Sequence, residues 1–147
     1  MSRRTLVLVL GALIPIVVGL VAYLHESEEE AIERVAETCR RAVLDGDAKS
    51  VLAHLEDDAE GAGLVGSGPL VPAVKRWVGQ ELGRLRKLDL SLRELVVDGE
   101  DARGVWLVKA RMKRPHDWGD LMIFEARVEF HRSPAGWLVR RVEIARP

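Results

Sequence analysis

The sequence predicts an α+β protein in which an N-terminal transmembrane helix is followed by three helices and a four-stranded antiparallel sheet. Three observations lead to this class. Residues 5–24 contain no charged side chain. Apolar residues then recur at helical spacing as far as about residue 85, and from Leu88 onward they alternate with polar ones. Helices gathered before an antiparallel sheet are typical of α+β domains, in which the helices cover one face of the sheet.

The uncharged run at residues 5–24 predicts a single membrane span, because about 20 helical residues match a hydrocarbon core of ~30 Å. Arg3 and Arg4 precede the run, and no basic residue follows it before Arg34. Basic residues stay on the cytoplasmic side. We therefore expect residues 1–4 to be cytoplasmic, and residues 25–147 to form an extracytoplasmic domain (periplasmic or extracellular). A cleaved signal peptide is the alternative; its apolar region is shorter and ends at a small-x-small site, which we do not find.

Three helices are predicted after the anchor. Ser27 and Glu30 form a capping box, and the helix that they start, over about 28–44, ends at Gly46. Asp47 caps a second helix, which is expected to include Leu55. Residues 56–70 are rich in glycine and acids, which predicts a loop. A third helix begins near Pro72, and its apolar side is Val74, Trp77, Val78, Leu82 and Leu85.

Four strands are predicted from the change of period to two. The first runs from Leu88 to Val97 and changes register near Arg93, which indicates a bulge. A turn at Asp98-Gly99 leads to a second strand over about 102–113, with Trp106 on its apolar face. Residues 114–120 form a polar loop. The third strand follows, and a turn ending at Gly136 leads to the fourth; connections this short favour an antiparallel meander.

Composition excludes some functions and leaves one question open. Cys39 is the single cysteine, so no intramolecular disulfide forms, and its position on an apolar helical stripe predicts that it packs in the core.

The charge of the chain is uneven. Residues 26–60 hold 12 acidic and 4 basic side chains, whereas residues 61–147 hold 11 acidic and 16 basic side chains. Either the two halves complement each other, which we favour, or a basic sheet face meets an anionic partner. Nucleic-acid binding is not predicted, because no basic patch with interleaved aromatic residues occurs.

The segment AVLDGDAKSVLAHL and the closing strand GWLVRRVEI, together with the order of the elements, resemble the nuclear transport factor 2-like superfamily. This superfamily includes ketosteroid isomerase, scytalone dehydratase and the polyketide cyclases. The resemblance rests on a Gly46-Asp47 turn and on the Gly136-Trp137 start of the last strand, and it covers roughly residues 27–146. It implies a curved sheet wrapped around the helices as a cone-shaped α+β roll that encloses a pocket.

The resemblance directs attention to acid–base pairs, but the isomerase arrangement is missing because the only tyrosine, Tyr23, lies in the anchor. The candidates that remain are His131 with Glu125 on the third strand, and His116 with Asp117 in the polar loop. A histidine and a carboxylate that share a pocket can act as a general base and its orienting partner. If His131 and Glu125 face water instead, which we favour, they are surface residues. His54 is expected to be a partly exposed histidine on the second helix.

Other site predictions are few. Trp118 in the polar loop is the candidate contact residue for a ligand or partner, whereas Trp77, Trp106 and Trp137 are expected in the core. No metal site and no cofactor are predicted, since the histidines are scattered without ligand spacing.

Two classes of function remain. The first is a membrane-anchored, non-catalytic domain that binds a protein partner or a small apolar ligand, and the second is a small lyase, isomerase or dehydratase that acts in the cone. We favour the first. Val105, Leu107 and Ile123 on the outer face of the sheet also make a homodimer through the sheet a hypothesis.

Overall fold

The computed structural model describes residues 2–24, 27–63, 66–78, 85–113 and 121–147, and it describes the side chains of the first helix as far as residue 17. The elements in chain order are α1 (Arg3–Leu24), α2 (Glu28–Asp45), α3 (Ala48–Leu52), β1 (Leu55–Gly63), β2 (Gly68–Pro69), α4 (Leu70–Arg76), β3 (Leu85–Asp98), β4 (Asp101–Met112), β5 (Leu121–Ser133) and β6 (Gly136–Ala145).

The strands form one sheet in the order β2-β1-β6-β5-β4-β3. All neighbouring pairs are antiparallel except β1 and β6, which are parallel. The prediction of four strands was therefore wrong by two, although the predicted antiparallel meander is present as β3 to β6. The α+β class, with helices preceding the meander, is confirmed.

The two missed strands lie in the segment that was predicted to be a loop. In β1, Leu55, Ala59 and Gly61 are buried, but the acids and glycines between them hide this pattern in the sequence. Packing against β6 overrides the poor strand propensity of such residues. Gly63 takes a φ of 76°, and a Cβ at this position would overlap the carbonyl oxygen of Ile144 in β6. Glycine at residue 63 thus permits the close approach of the two strands.

The predicted caps of the helices are present. The Ser27 hydroxyl accepts a hydrogen bond from the Glu30 backbone N–H at 3.2 Å, and Gly46 ends α2 in the left-handed conformation with a φ of 69°. Asp47 then caps α3 by accepting from the Ser50 N–H at 3.1 Å. Helix α2 matches the predicted bounds, whereas α3 and α4 are shorter than predicted, since Leu55 begins β1 and Leu85 begins β3. Leu82 lies outside the described residues.

The long strands follow the predicted alternation closely. The register of β3 against β4 shifts between Leu92 and Glu94, where a bulge was expected. Gly99 starts the two-residue connection from β3 to β4 with a φ of 62°, which only glycine adopts readily in such turns. The pairing of β5 with β6 also shifts register, at Glu129. As a result, the inward-facing residues of β6 are odd-numbered as far as Val139 and even-numbered from Val142.

One core joins the inner face of the sheet to the helices. Its buried members include Ile32 and Val35 of α2 and Trp106, Phe130 and Trp137 of the sheet. The rings of Trp106 and Phe130 meet edge to face at 5.9 Å. No described side chain of α1 belongs to this core, and we take elements α2 to β6 as the packed domain.

The first turn of α2 is tied to the sheet by a single carboxylate, which we call the Glu28 clamp. Glu28 Oε2 accepts a hydrogen bond from Trp137 Nε1 at 2.7 Å, and Glu28 Oε1 pairs with Arg132 Nη2 at 2.8 Å. The Arg132 guanidinium also lies 5.9 Å from the centre of the Trp137 ring system. The clamp therefore fixes the start of α2 against the start of β6.

Helix α1 has 22 residues. Its described large apolar side chains, from Leu6 to Val17, are exposed. Within the described ranges, no helix combines the length and apolar character that a membrane crossing requires.

Candidate functional site

A cavity of about 350 Å³ lies between α2 and the inner face of the sheet. Its walls come from α2, α3, α4, β1, β3, β4, β5 and β6. Most of its described lining residues are apolar: Val35, Ala36, Cys39, Val43, Val51, Leu55, Leu70, Val74, Leu85, Leu88, Leu90, Trp106, Val108, Ala110, Met122, Phe124, Ala126, Val128, Phe130, Val139, Val142 and Ile144. This volume falls within the ~300–1,000 Å³ that is typical of small-molecule sites.

Small residues at inward positions create this space. Ala36 on α2, Ala110 on β4 and Ala126 on β5 line the cavity, and larger side chains at these positions would occupy part of it. Protein interiors are otherwise close-packed, so an unfilled volume of this size is a candidate ligand-binding site. Sequence reasoning did not identify these residues as a site; three alanines on facing apolar stripes were the available signal.

Arg40 is the single charged side chain among the described lining residues. Its Nε and Nη2 donate to the two carboxylate oxygens of Glu37 at 2.8 and 2.6 Å, and Nη1 donates to the Leu88 carbonyl at 3.2 Å. Hydrogen bonding from Arg40, with a further bond from Arg41, lowers the pKa of Glu37 to about 2. The charge of Arg40 is thus compensated within α2, and the guanidinium joins α2 to β3 at the side of the cavity.

Cys39 presents a thiol to the cavity wall. Burial raises its pKa to about 11, so the thiol is protonated at neutral pH and is a poor nucleophile. The side chain packs as a small apolar group against the core, in accord with its place on the helical stripe.

The predicted pair of His131 and Glu125 is not brought together. Both lie on the outer face of β5, and six residues of strand separate them by about 20 Å. His131 Nδ1 instead hydrogen-bonds to Asp101 Oδ1 at 2.9 Å, and Glu125 pairs with Arg127 at 3.1 Å. The hydrogen bond from His131 lowers the pKa of Asp101 below its ordinary value.

Asp101 was missed as the partner of His131, although the register of β4 against β5 pairs these two residues directly. The turn at Asp98-Gly99 marks the start of β4, but the sequence leaves the alignment of β4 with β5 open. Both side chains are partly exposed to solvent, and Arg140 Nη1 also lies 3.5 Å from Asp101.

The other candidate residues are the remaining histidines, Asp117 and the tryptophans. His116, Asp117 and Trp118 lie outside the described residues, so their roles stay predictions. Trp106 and Trp137 are buried, as predicted, whereas Trp77 is half-buried. His54 is half-buried beyond the end of α3, and its carbonyl oxygen accepts a hydrogen bond from the Val139 N–H at 2.8 Å.

The chemistry that this cavity offers follows from its lining. Among the described residues that line it, there is no carboxylate, imidazole or phenol, so the described walls hold no general acid or base. In the same part of the chain, no group of three or more potential metal ligands occurs. The arrangement suits the enclosure of apolar groups and provides no acid–base step from these walls.

Comparison with known proteins shows similarity of fold without similarity of sequence. No protein-family profile matches the chain, and no curated protein matches it. A provisionally assigned scytalone dehydratase from Novosphingobium aromaticivorans superposes with a TM-score of 0.66 at 16% identity, over 80% of this chain and 82% of that chain. A provisionally assigned dehydratase of the nuclear transport factor 2-like family, from Streptomyces avermitilis, gives 0.64 at 14% identity, over 82% and 96%.

A provisionally assigned ketosteroid isomerase from Shewanella frigidimarina superposes with a TM-score of 0.65 at 13% identity, over 81% of this chain and 98% of that chain. These structures confirm the predicted nuclear transport factor 2-like fold with its curved sheet. At such low identity they show the fold alone, because one fold hosts many unrelated functions.

Proposed function

We propose that this protein is a non-catalytic, membrane-anchored module that binds a small apolar ligand in the cavity of its cone. The observation that carries the ligand proposal is the cavity itself, with its volume of about 350 Å³ and its almost wholly apolar lining. A ligand that enters it removes apolar surface from water on both sides of the contact, which is favourable by about 25 cal/mol per Å².

The charges near the cavity favour an uncharged ligand body. Glu37 already occupies the Arg40 guanidinium through two hydrogen bonds, so an acidic ligand would have to compete with a carboxylate on the same helix. A charged group placed among the apolar walls would lose its hydration without gaining a partner. A short hydrocarbon chain or a compact ring system therefore fits better than a polar metabolite.

A binding role also agrees with the lining better than the lyase, isomerase or dehydratase alternative does. Those reactions need a positioned acid or base within hydrogen-bond reach of the substrate. The described walls offer none, and His131 faces outward towards Asp101. The enzyme names given to structural neighbours belong to those proteins.

The proposed placement in the membrane rests on the amino-acid sequence of residues 1–24; in the described part of the structure, no helix meets the requirements of a span. Residues 5–24 are uncharged and lie within a helix of 22 residues. Arg3 and Arg4 at its start favour a cytoplasmic N-terminus, with the domain outside the cytoplasm. A domain attached in this way works beside a reservoir of apolar molecules.

A direct test uses the packed domain, residues 27–147, and the neutral fluorophore N-phenyl-1-naphthylamine. We expect its emission to rise and saturate as the domain is added, because the probe moves from water into the cavity. Ala36→Phe fills the cavity and should abolish the rise. Ala135→Phe adds the same side chain at an exposed turn residue and should leave the rise unchanged.

A second readout comes from Cys39, the only thiol in the chain. A bound apolar probe should slow its reaction with a maleimide reagent, since Cys39 lines the cavity. The proposal is wrong if the fluorophore gives no saturable signal and the alkylation rate of Cys39 does not change.

A further inference from the structure

The outer face of the sheet carries a basic and apolar patch at the end where β4 finishes and β5 begins. We call it the lip, and it consists of Lys87, Lys109, Arg111, Lys113, Leu121 and Ile123. Cross-strand pairing places five of them side by side, since Arg111 lies between Lys87 and Leu121, and Lys109 lies beside Ile123. Lys113 directly follows the last residue of β4. All six residues are exposed.

The apolar part of the lip is unusual for this domain. Outside α1, the described large apolar residues that are exposed number five, and Leu121, Met122 and Ile123 are three of them, at 45%, 43% and 45%. Met122 also lines the cavity, so the lip adjoins the cavity wall at a place that solvent reaches.

The basic part of the lip stands out against the rest of the outer face. Further along the strands, opposite charges alternate, as in the row in which Glu129 lies between Arg103 and Arg141. Among the described residues of the lip rows, the one acidic neighbour is Asp89, whose carboxylate lies 3.6 Å from the Lys87 ammonium. Lys109 and Arg111 thus leave an excess of positive charge next to exposed apolar side chains.

From this juxtaposition we infer that the lip docks onto an anionic membrane surface. Exposed apolar side chains insert at the boundary between headgroups and acyl chains, while neighbouring lysines and arginines attract acidic lipids. An acidic protein would satisfy the charges but would give Leu121 and Ile123 no matching apolar surface. The inference is independent of what the cavity holds, and it does not require α1 to cross the membrane.

The test places a fluorescent reporter in the lip of the full-length chain. Cys39 is replaced by alanine, and Ile123→Cys is labelled with a nitrobenzoxadiazole dye, whose emission rises and shifts to shorter wavelength in an apolar setting. Vesicles of equal parts phosphatidylcholine and phosphatidylglycerol should produce this change, and vesicles of phosphatidylcholine alone should not. Helix α1 can bring the chain to either vesicle, but only docking of the lip moves the dye into lipid.

Charge-neutral variants separate the lip from general electrostatics. Lys109→Gln with Arg111→Gln should raise the lipid concentration at half response about 30-fold, because each basic residue near an acidic surface contributes about fivefold. Lys49→Gln with Lys75→Gln removes the same charge from exposed helix positions and should change it little. Circular dichroism checks that each variant folds, and molar salt should weaken the wild-type response.

Four results would overturn the inference, of which three concern the vesicles. In the first, the dye emission stays that of a dye in water although flotation shows that the chain is bound to acidic vesicles. In the second, the dye responds equally to both vesicle types. In the third, the two double variants lose the response to the same extent. A response that grows with protein concentration without vesicles would assign the lip to a second copy of the chain, and the membrane proposal would fall.

Discussion

Filling the cavity should stabilise the domain, and Ala36→Leu on α2 is the substitution that tests this. Alanine and leucine are both strong helix formers, so the change mainly adds three carbons to the cavity wall. Each newly buried methylene contributes about 0.8 kcal/mol. After the loss of rotamer freedom, which costs up to about 1 kcal/mol for leucine, we expect a net gain of about 1.5 kcal/mol.

The matched control is Ala42→Leu on the same helix. Ala42 is 5% exposed, and it is not among the residues that line the cavity. The same three carbons must there enter a packed part of the core, where overpacking costs about 1–3 kcal/mol. The two substitutions are chemically identical but should therefore change stability in opposite directions.

The measurement is urea unfolding of residues 27–147, followed through tryptophan fluorescence, to which the buried Trp106 and Trp137 contribute. The midpoint should rise for Ala36→Leu and fall for Ala42→Leu at an unchanged slope, since the slope tracks the surface exposed on unfolding. If Ala36→Leu destabilises the domain as much as Ala42→Leu does, the volume beside Ala36 is not free space, and the reasoning about a ligand cavity fails.

Three further predictions concern pH, packing and topology. Because the pKa of Glu37 is lowered to about 2 from 4.5, its ion pair stabilises the fold above pH 4.5, and this contribution is lost as the pH falls towards 2. Glu37→Gln should flatten the acid limb of a plot of melting temperature against pH, whereas Glu33→Gln, at an exposed position on the same helix, should leave the limb as steep as in the wild type. A Cβ at Gly104 would overlap the ring of Trp106, so Gly104→Ala should lower the free energy of unfolding by about 1–3 kcal/mol; an unchanged urea midpoint would argue against this packing. Charge reversal of Arg3 and Arg4 at the start of α1 should expose the domain to the cytoplasm in a share of the molecules, and protease protection in sealed vesicles would show no change if the anchor proposal were mistaken.

The meander was predictable because its strands alternate strictly, so that the burial of Trp106, Phe130 and Trp137 follows from their parity. The helix ends were predictable where the capping residue is of a characteristic type, as with the Ser27 hydroxyl and the left-handed Gly46. Strand β1 was not predictable, because its acids and glycines have poor strand propensity and are held by pairing with β6. No local pattern indicates a parallel partner that begins at Gly136, whereas β1 ends at Gly63.

The candidate site was less predictable than the fold. A cavity depends on volumes that are missing where several elements meet, and small residues such as Ala36 and Ala126 look like ordinary core residues in a sequence. The resemblance to known cone-shaped domains directed attention to His131 and Glu125, but strand register placed both on the outside. Asp101, the partner that His131 does have, follows from an alignment of strands that residue types alone do not determine.

The Glu28 clamp has a mechanical consequence. Glu28 is the first residue of α2, so any pull that arrives along the chain from the N-terminal side meets the sheet at Trp137 and Arg132 before it reaches Ile32 and Val35. The load is thus shared with β5 and β6, since the Arg132 guanidinium of β5 and the Trp137 ring of β6 hold the two carboxylate oxygens of Glu28. A force applied through the chain before α2 should therefore move the domain as one rigid body and leave the shape of the cavity unchanged.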